Sequence, residues 1–260
     1  MSIRFGKLTN KYSFLVDGKM RVTDPCYTPG TWCSYVLDNV QPGLWQCQGG
    51  LFIDEHDELR SKNQISRINK TIEKLKESFL DNQDRIDVAH NEWLVRDYER
   101  ERARWEGESF RVGVLWAGIG VTRGEEFFRP LLVISELDEE EDTDTVKPYH
   151  HQGLVKVEKA HIGVDSGQAG FFDDNVYVNR YFNFVNPGKP VDKMDEAMYD
   201  IIGDGTCNDD GLDPVGVAKY SDQAEAFGIA SLTGYGDGGY DLFVGESPTG
   251  QINEVMLLFV

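Results

Sequence analysis

The sequence predicts an α+β fold: a β-rich body of mixed or antiparallel sheet with a long helical hairpin or coiled coil inserted into it. Three observations carry this. Short apolar runs punctuated by Gly, Asp and Pro fill residues 3–53 and 110–260, the pattern of strands joined by tight turns. No Gly or Pro occurs between Leu51 and Glu106, so nothing there ends a helix. Within that stretch apolar residues recur at spacings of three, four and seven, a heptad pattern. The expected organisation is 1–56 as the first part of the body, 57–107 as the helical insertion and 108–260 as the remainder of the body.

The first strands are Tyr12–Val16 and Met20–Val22, separated by Asp17-Gly18, which reads as a β-hairpin. Asp24-Pro25-Cys26-Tyr27 and Pro29-Gly30 then mark an ordered turn. Strand character resumes from Val36 to Cys47, and Leu51-Phe52-Ile53 adds a short buried strand. The heptad seam that follows is Ile65, Ile68, Ile72, Leu75, Phe79, Ile86 and Trp93, with Asn82 and Ala89 between. As one helix from Glu58 to Glu106 it would be roughly 70 Å long. A seam of that length needs a partner, either the same chain folded back near Asp81–Asp84 or another subunit. It is therefore the expected oligomer or protein-partner surface.

Gly107 and Ser109 are expected to end the helix. Phe110–Val121 is apolar with small residues, as in a buried central strand, and Leu131–Ile134 reads as another. Seven of the nine residues Glu136–Asp144 are acidic, an acidic loop. Helical spacing returns at Val191–Ile202, with Asp192 as its N-cap. The run Gly203–Gly211 lacks the terminal Glu of a calcium-binding hand, since Val217 stands there. Gly228–Leu232 and Asp241–Gly245 flank a Gly-rich turn and read as a hairpin, and Ile252–Val260 as a core strand.

The net charge of −19 is unevenly placed. Residues 58–106 carry 11 basic and 11 acidic side chains, so the remaining 15 basic residues face 34 acidic ones. Nucleic-acid binding needs clustered Lys and Arg, so such a partner is disfavoured. No apolar run reaches the length of a membrane span. Residues 1–7 lack the apolar stretch of a signal peptide, and the four cysteines are not in C-x-x-C spacing. The expectation is a cytoplasmic protein with reduced thiols.

Two stretches concentrate Gly, Asp and aromatics: Val164-Asp165-Ser166-Gly167-Gln168 and Gly234-Tyr235-Gly236-Asp237-Gly238, with Tyr240 close behind. Read as turns, they join strands. Read as a site, they frame a small ligand, with Asp165, Ser166, Gln168, Tyr235, Asp237 and Tyr240 as candidate ligand-binding residues.

These stretches, with Asp24-Pro25-Cys26-Tyr27 before them and Tyr199-Asp200 and Cys207 between them, occur in a fixed order. The set resembles an uncharacterised family of bacterial and phage proteins, a domain of unknown function. The resemblance covers residues 10–50 and 110–260 and leaves out the helical segment, which reads as an insertion. It implies a compact β-rich domain of microbial or phage origin, located in the host cytoplasm if phage-encoded, and brings no catalytic residues.

Three function classes follow. The first is a non-catalytic binding protein, an accessory factor that binds a host protein or a small ligand. The second is a metal-dependent hydrolase using Asp165, Asp237 and a divalent cation. The third is an assembly protein that oligomerises through the coiled coil. No other cofactor and no catalytic residue is expected.

Overall fold

The computed structural model describes residues 3–81, 85–108, 110–133, 153–183, 214–219 and 225–259. Its described strands form two antiparallel sheets. The larger is built on β1 (Ile3–Leu8), β2 (Tyr12–Val16), β5 (Gly43–Asp54), β6 (Phe110–Gly118), β7 (Val155–Lys156), β8 (Ile162–Val164), β12 (Gly238–Glu246) and β13 (Ile252–Leu258). Its order is β1-β5-β6-β13-β12-β7, with β2 beside β5 and β8 beside β12. The smaller runs β10-β11-β9-β3-β4, from β3 (Met20–Thr23), β4 (Tyr35–Leu37), β9 (Gln168–Asp173), β10 (Val215–Ala218) and β11 (Gly228–Leu232).

The sheets pack face to face on one core. Phe14, Trp45, Leu115, Val255 and Leu257 come from the larger sheet, and Met20, Val22, Phe171 and Ile229 from the smaller. Burying each large side chain contributes about 1.5–3 kcal/mol. Successive residues of β6 and β13 point to opposite faces. Leu115, Ala117, Val255 and Leu257 enter this core, whereas Val114, Trp116 and Met256 enter a second layer with Phe127 and Phe128. The latter two lie on α3 (Glu125–Val133), which covers the outer face. Burial on both faces accounts for the unbroken apolar runs of these two strands. On the smaller sheet, α4 (Asp174–Asn183) sets Tyr177 against Phe172, Ala218, Phe227 and Ala230.

The expected α+β fold with a long helical hairpin or coiled coil is corrected to a β-rich fold of two antiparallel sheets with four helices among the described residues. No single described helix spans Glu58–Glu106. Helix α1 (Glu55–Asp81) and helix α2 (Arg85–Glu108) are separate, and the coiled-coil seam is not continuous. The helices meet through three buried residues, Ile68, Ile72 and Val95, with Leu75 and Tyr98 against them. Ile65 is half-buried, and Trp93 is 57% exposed. The side chains of Phe79 and Ile86 lie outside the described residues. Heptad spacing records which residues share a helix face, but a supercoil also needs a facing seam of equal length. Val95, not Trp93, supplies the apolar contact here.

Other expectations also change. Leu131–Val133 ends α3 and is not a strand. The Asp17-Gly18 turn joins β2 of one sheet to β3 of the other, so it is a corner between sheets and not a hairpin. Gly18 has φ +81° there, and the Asp17 amide donates to Asp173 Oδ2 at 2.6 Å. Residues 233–237 likewise connect β11 of the smaller sheet to β12 of the larger, where a hairpin was expected. The acidic loop, the 191–202 helix, the 203–211 run, Tyr199 and Cys207 lie outside the described residues. No described helix is long and apolar enough to cross a membrane.

Candidate functional site

The two Gly/Asp stretches are neighbours in space, and the topology explains why. Strand β8 pairs with β12 in one sheet, and β9 pairs with β11 in the other. The connections β8→β9 (165–167) and β11→β12 (233–237) therefore cross between the sheets side by side. The Thr233 amide donates to the Gly167 carbonyl at 2.9 Å and closes the gap between them. Gly167 and Gly236 have φ of +70° and +93°, where a side chain is strained.

The turn after β3 joins them through one residue. Asp24 is fully buried. Its Oδ2 accepts the amides of Asp165 and Ser166, each at 2.8 Å. Its Oδ1 accepts the Ser166 hydroxyl at 2.7 Å and the Cys26 amide at 2.8 Å. Four donors on one carboxylate make a charge-assisted clamp. Ser166 is thereby a structural donor.

Helix α4 supports the same loop from beneath. Asp173 caps it, accepting the Val176 amide at 2.8 Å. Tyr177 donates to the Tyr27 carbonyl at 2.9 Å, and buried Arg21 pairs with Asp174 at 2.7 Å. Beyond the clamp, burial first, then hydrogen bonds with Asp165 and Cys33, push the Tyr27 phenol well above its usual range.

The second corner is held from within and from the helical segment. Thr233 Oγ1 and the Tyr240 hydroxyl each donate to the Gly236 carbonyl at 2.6 Å, and the Tyr240 ring packs edge-on against Phe259. Arg111 donates to the Gly234 carbonyl at 3.1 Å. It also pairs with Asp57 of α1 and lies 5.2 Å from the Tyr235 ring centroid. Gly234 has no space for a side chain, because a Cβ would stand 2.8 Å from the Val112 carbonyl and 3.0 Å from that of Phe259. Asp54, the last residue of β5, is buried, and its Oδ2 has no hydrogen-bond partner among the described residues. Burial first, then the Asp54 charge, raise the Tyr235 phenol, and Arg111 opposes this.

The six candidate residues thus divide. Asp165 and Asp237 are exposed and follow directly on the last ladder pair, Val164 opposite Gly238. Tyr235 is 46% exposed. Ser166 and Tyr240 are half-buried and fasten the corners. Gln168 is buried in β9 opposite Leu232, and its Oε1 has no partner among the described residues. It does not share the open surface. Among the described residues, no three His, Cys, Asp or Glu side chains gather as a metal ion requires.

The residues the sequence reading missed are Asp24 as the clamp, Arg111, and an aromatic pair. Trp32 is 80% exposed, and its ring stacks on His161 at 5.4 Å and 10° between planes. The Pro29-Gly30 turn immediately before Trp32 was a usable signal, since it places a large apolar residue at a turn.

The raised phenols give a pH expectation. Tyr27, Tyr235 and Tyr240 all keep their protons in the folded state above the ordinary value of about 10. A raised folded pKa contributes stability that is whole below the unfolded value and is lost as pH rises from there toward the folded one. Urea midpoints should hold steady to about pH 9.5 and fall above about pH 10. Tyr27→Phe should flatten that fall, and an unchanged profile would remove Tyr27 as its source.

A model of the family described as "Protein of unknown function (DUF4241)" matches residues 158–257, in agreement with the resemblance to an uncharacterised family. No curated protein and no solved structure matches the chain. The matched stretch contains both corners. Asp24 and Arg111, which fasten them, lie outside it, as does Trp32.

Proposed function

We propose that the protein is a non-catalytic binding protein, an accessory factor whose binding surface is the pair of corners together with the 24–34 loop. One observation carries this reading. The carboxylate and hydroxyl best placed for chemistry, Asp24 and Ser166, are committed to each other and to backbone amides, while Trp32, Asp165, Tyr235 and Asp237 face solvent. Groups held as cross-links fix a surface, and exposed aromatic and charged side chains on a fixed surface suit recognition.

The test is a native mass spectrum of the protein as purified, followed by thermal melts with a panel of small ligands and a pull-down from cell extract. A retained mass, a ligand-dependent rise in Tm, or a partner lost on replacing Trp32 and Tyr235 is the expected result. Binding that survives both replacements places the surface elsewhere and overturns the assignment.

A second reading, a metal-dependent hydrolase, is favoured by one feature: Asp165 and Asp237 are the first residues beyond the end of the same ladder. It requires ester or phosphoester hydrolysis that EDTA removes and that Asp165→Asn abolishes. Hydrolysis that persists in either case rules it out.

A further inference from the structure

We infer that the partner of this surface is a basic peptide segment, with an arginine guanidinium stacked on the open face of Trp32 and the carboxylates of Asp165 and Asp237 beside it. This rests on the binding reading above and narrows it to one chemical class.

The geometry starts with the indole. An exposed tryptophan in a mobile turn would sample many positions, but this turn is held at several points. The Thr31 amide and hydroxyl donate to the Thr28 carbonyl at 3.1 and 2.7 Å. The Ser34 amide and hydroxyl donate to the Thr31 carbonyl at 3.1 and 2.9 Å. The His161 ring lies nearly parallel against one face of the indole. His161 is itself set close to Gly239, where a Cβ would stand 3.1 Å from its Cε1. With 80% of Trp32 still exposed, the other face is open. Next to it, Gly163 faces Gly239 across the ladder and Gly238 faces Val164. Cys33 packs over Gly163 and His161 over Gly239, so the turn and its aromatic pair are seated closely on these two strands.

Charge selects the occupant. On β12, Asp241 is paired with Lys156, whereas Asp165 and Asp237, the first residues beyond the ladder, are exposed, with Asp165 also accepting a hydrogen bond from Tyr27. Outside residues 58–106, 34 acidic residues face 15 basic ones. A phosphate-bearing ligand would meet these carboxylates with repulsion. A purely apolar partner would desolvate them without pairing them. A guanidinium satisfies both elements at once, because its planar face stacks on an indole and its edge donates in a fork to a carboxylate.

The probe is acetyl-tetra-arginine amide, compared with acetyl-tetra-lysine amide, acetyl-tetra-glutamate amide and adenosine monophosphate. The readout is the indole N–H signals in a heteronuclear NMR spectrum of the full chain at low salt, with the Trp32 signal identified by its loss in Trp32→Phe. The arginine peptide is expected to move the Trp32 signal and leave those of buried Trp45 and Trp116 in place. Trp32→Ala should weaken binding at least tenfold with Tm unchanged, since the side chain is exposed. Asp165→Asn and Asp237→Asn should each weaken it about threefold or more and flatten its salt dependence. The lysine peptide should bind more weakly than the arginine one. Equal affinity for Trp32→Ala would show diffuse charge attraction and overturn the proposal. Movement with the glutamate peptide or the nucleotide, and none with arginine, would overturn the basic class and leave the binding surface standing. Silence from all four probes would also overturn the basic class. The native mass spectrum and pull-down described above would still judge the binding reading by itself.

Discussion

Asp24→Ala should lower stability by about 4 kcal/mol, among the larger losses that a single replacement produces. The carboxylate is fully buried and accepts four hydrogen bonds, from Cys26, Asp165 and twice from Ser166. Removing it strands three amides and a hydroxyl, and each buried donor left unpaired costs roughly 1–3 kcal/mol, less where water enters. Asp24→Asn keeps the shape but turns an amide NH2 toward donors, so about 2–3 kcal/mol is expected. Ser166→Ala removes a single bond and should cost about 1 kcal/mol. Urea denaturation measures all three. The order Ala, Asn, then Ser166→Ala supports the clamp, and a loss below about 1 kcal/mol for Asp24→Ala would refute it.

Gly170→Ala should be as damaging for a different reason. Gly170 lies in β9 opposite Ala230 of β11. A Cβ there would stand 2.0 Å from the Ile229 carbonyl oxygen and 2.7 Å from the Ala230 Cα. Both are backbone atoms of a paired strand, so relief requires β9 and β11 to separate, and the second corner moves with them. Loss of folded protein, or a destabilisation of about 4 kcal/mol or more, is expected. Gly250→Ala is the control. Gly250 has φ +79° with nothing near, so its cost is the backbone strain alone, about 1 kcal/mol. If both variants lose a similar small amount, the close approach at Gly170 is not a constraint on the fold.

The strands were largely readable because their residues obey local rules. Val114–Ala117 and Val255–Leu257 are apolar without alternation because each strand is buried on both faces, and composition alone conveys that. The corners were readable as turns but not as corners. Asp17-Gly18 and Gly234–Gly238 carry the same residues a hairpin would use. Whether the next strand stays in its sheet is decided by partners far along the chain, such as β5 for β2 and β9 for β3. The heptads misled for a related reason. Ile68 and Ile72 are buried while Trp93 is exposed, and a one-dimensional spacing cannot say how far a facing helix extends. At the site, Asp165 and Asp237 were legible as unusual residues. Asp24 was not legible as their fastener, because 141 residues separate it from Asp165. Trp32 follows a Pro-Gly turn, which hints at its place on the surface, but its stacking partner His161 lies far along the chain.

The place of β13 in the larger sheet has a consequence for how the molecule assembles. It lies between β6 and β12, and its Glu254 accepts the indole N–H of Trp116 from 138 residues away. Until β13 arrives, one edge of β6 is an unpaired apolar strand, and the two-faced burial of Val114–Ala117 is incomplete. Contacts this distant in sequence slow folding, and an open apolar edge invites pairing with other chains. During synthesis, residues 43–118 emerge long before the strand that finishes their sheet. Folding to the native state is therefore completed only after β13 leaves the ribosome, and the interval before it is the period in which this chain is most exposed to aggregation and to chaperone capture.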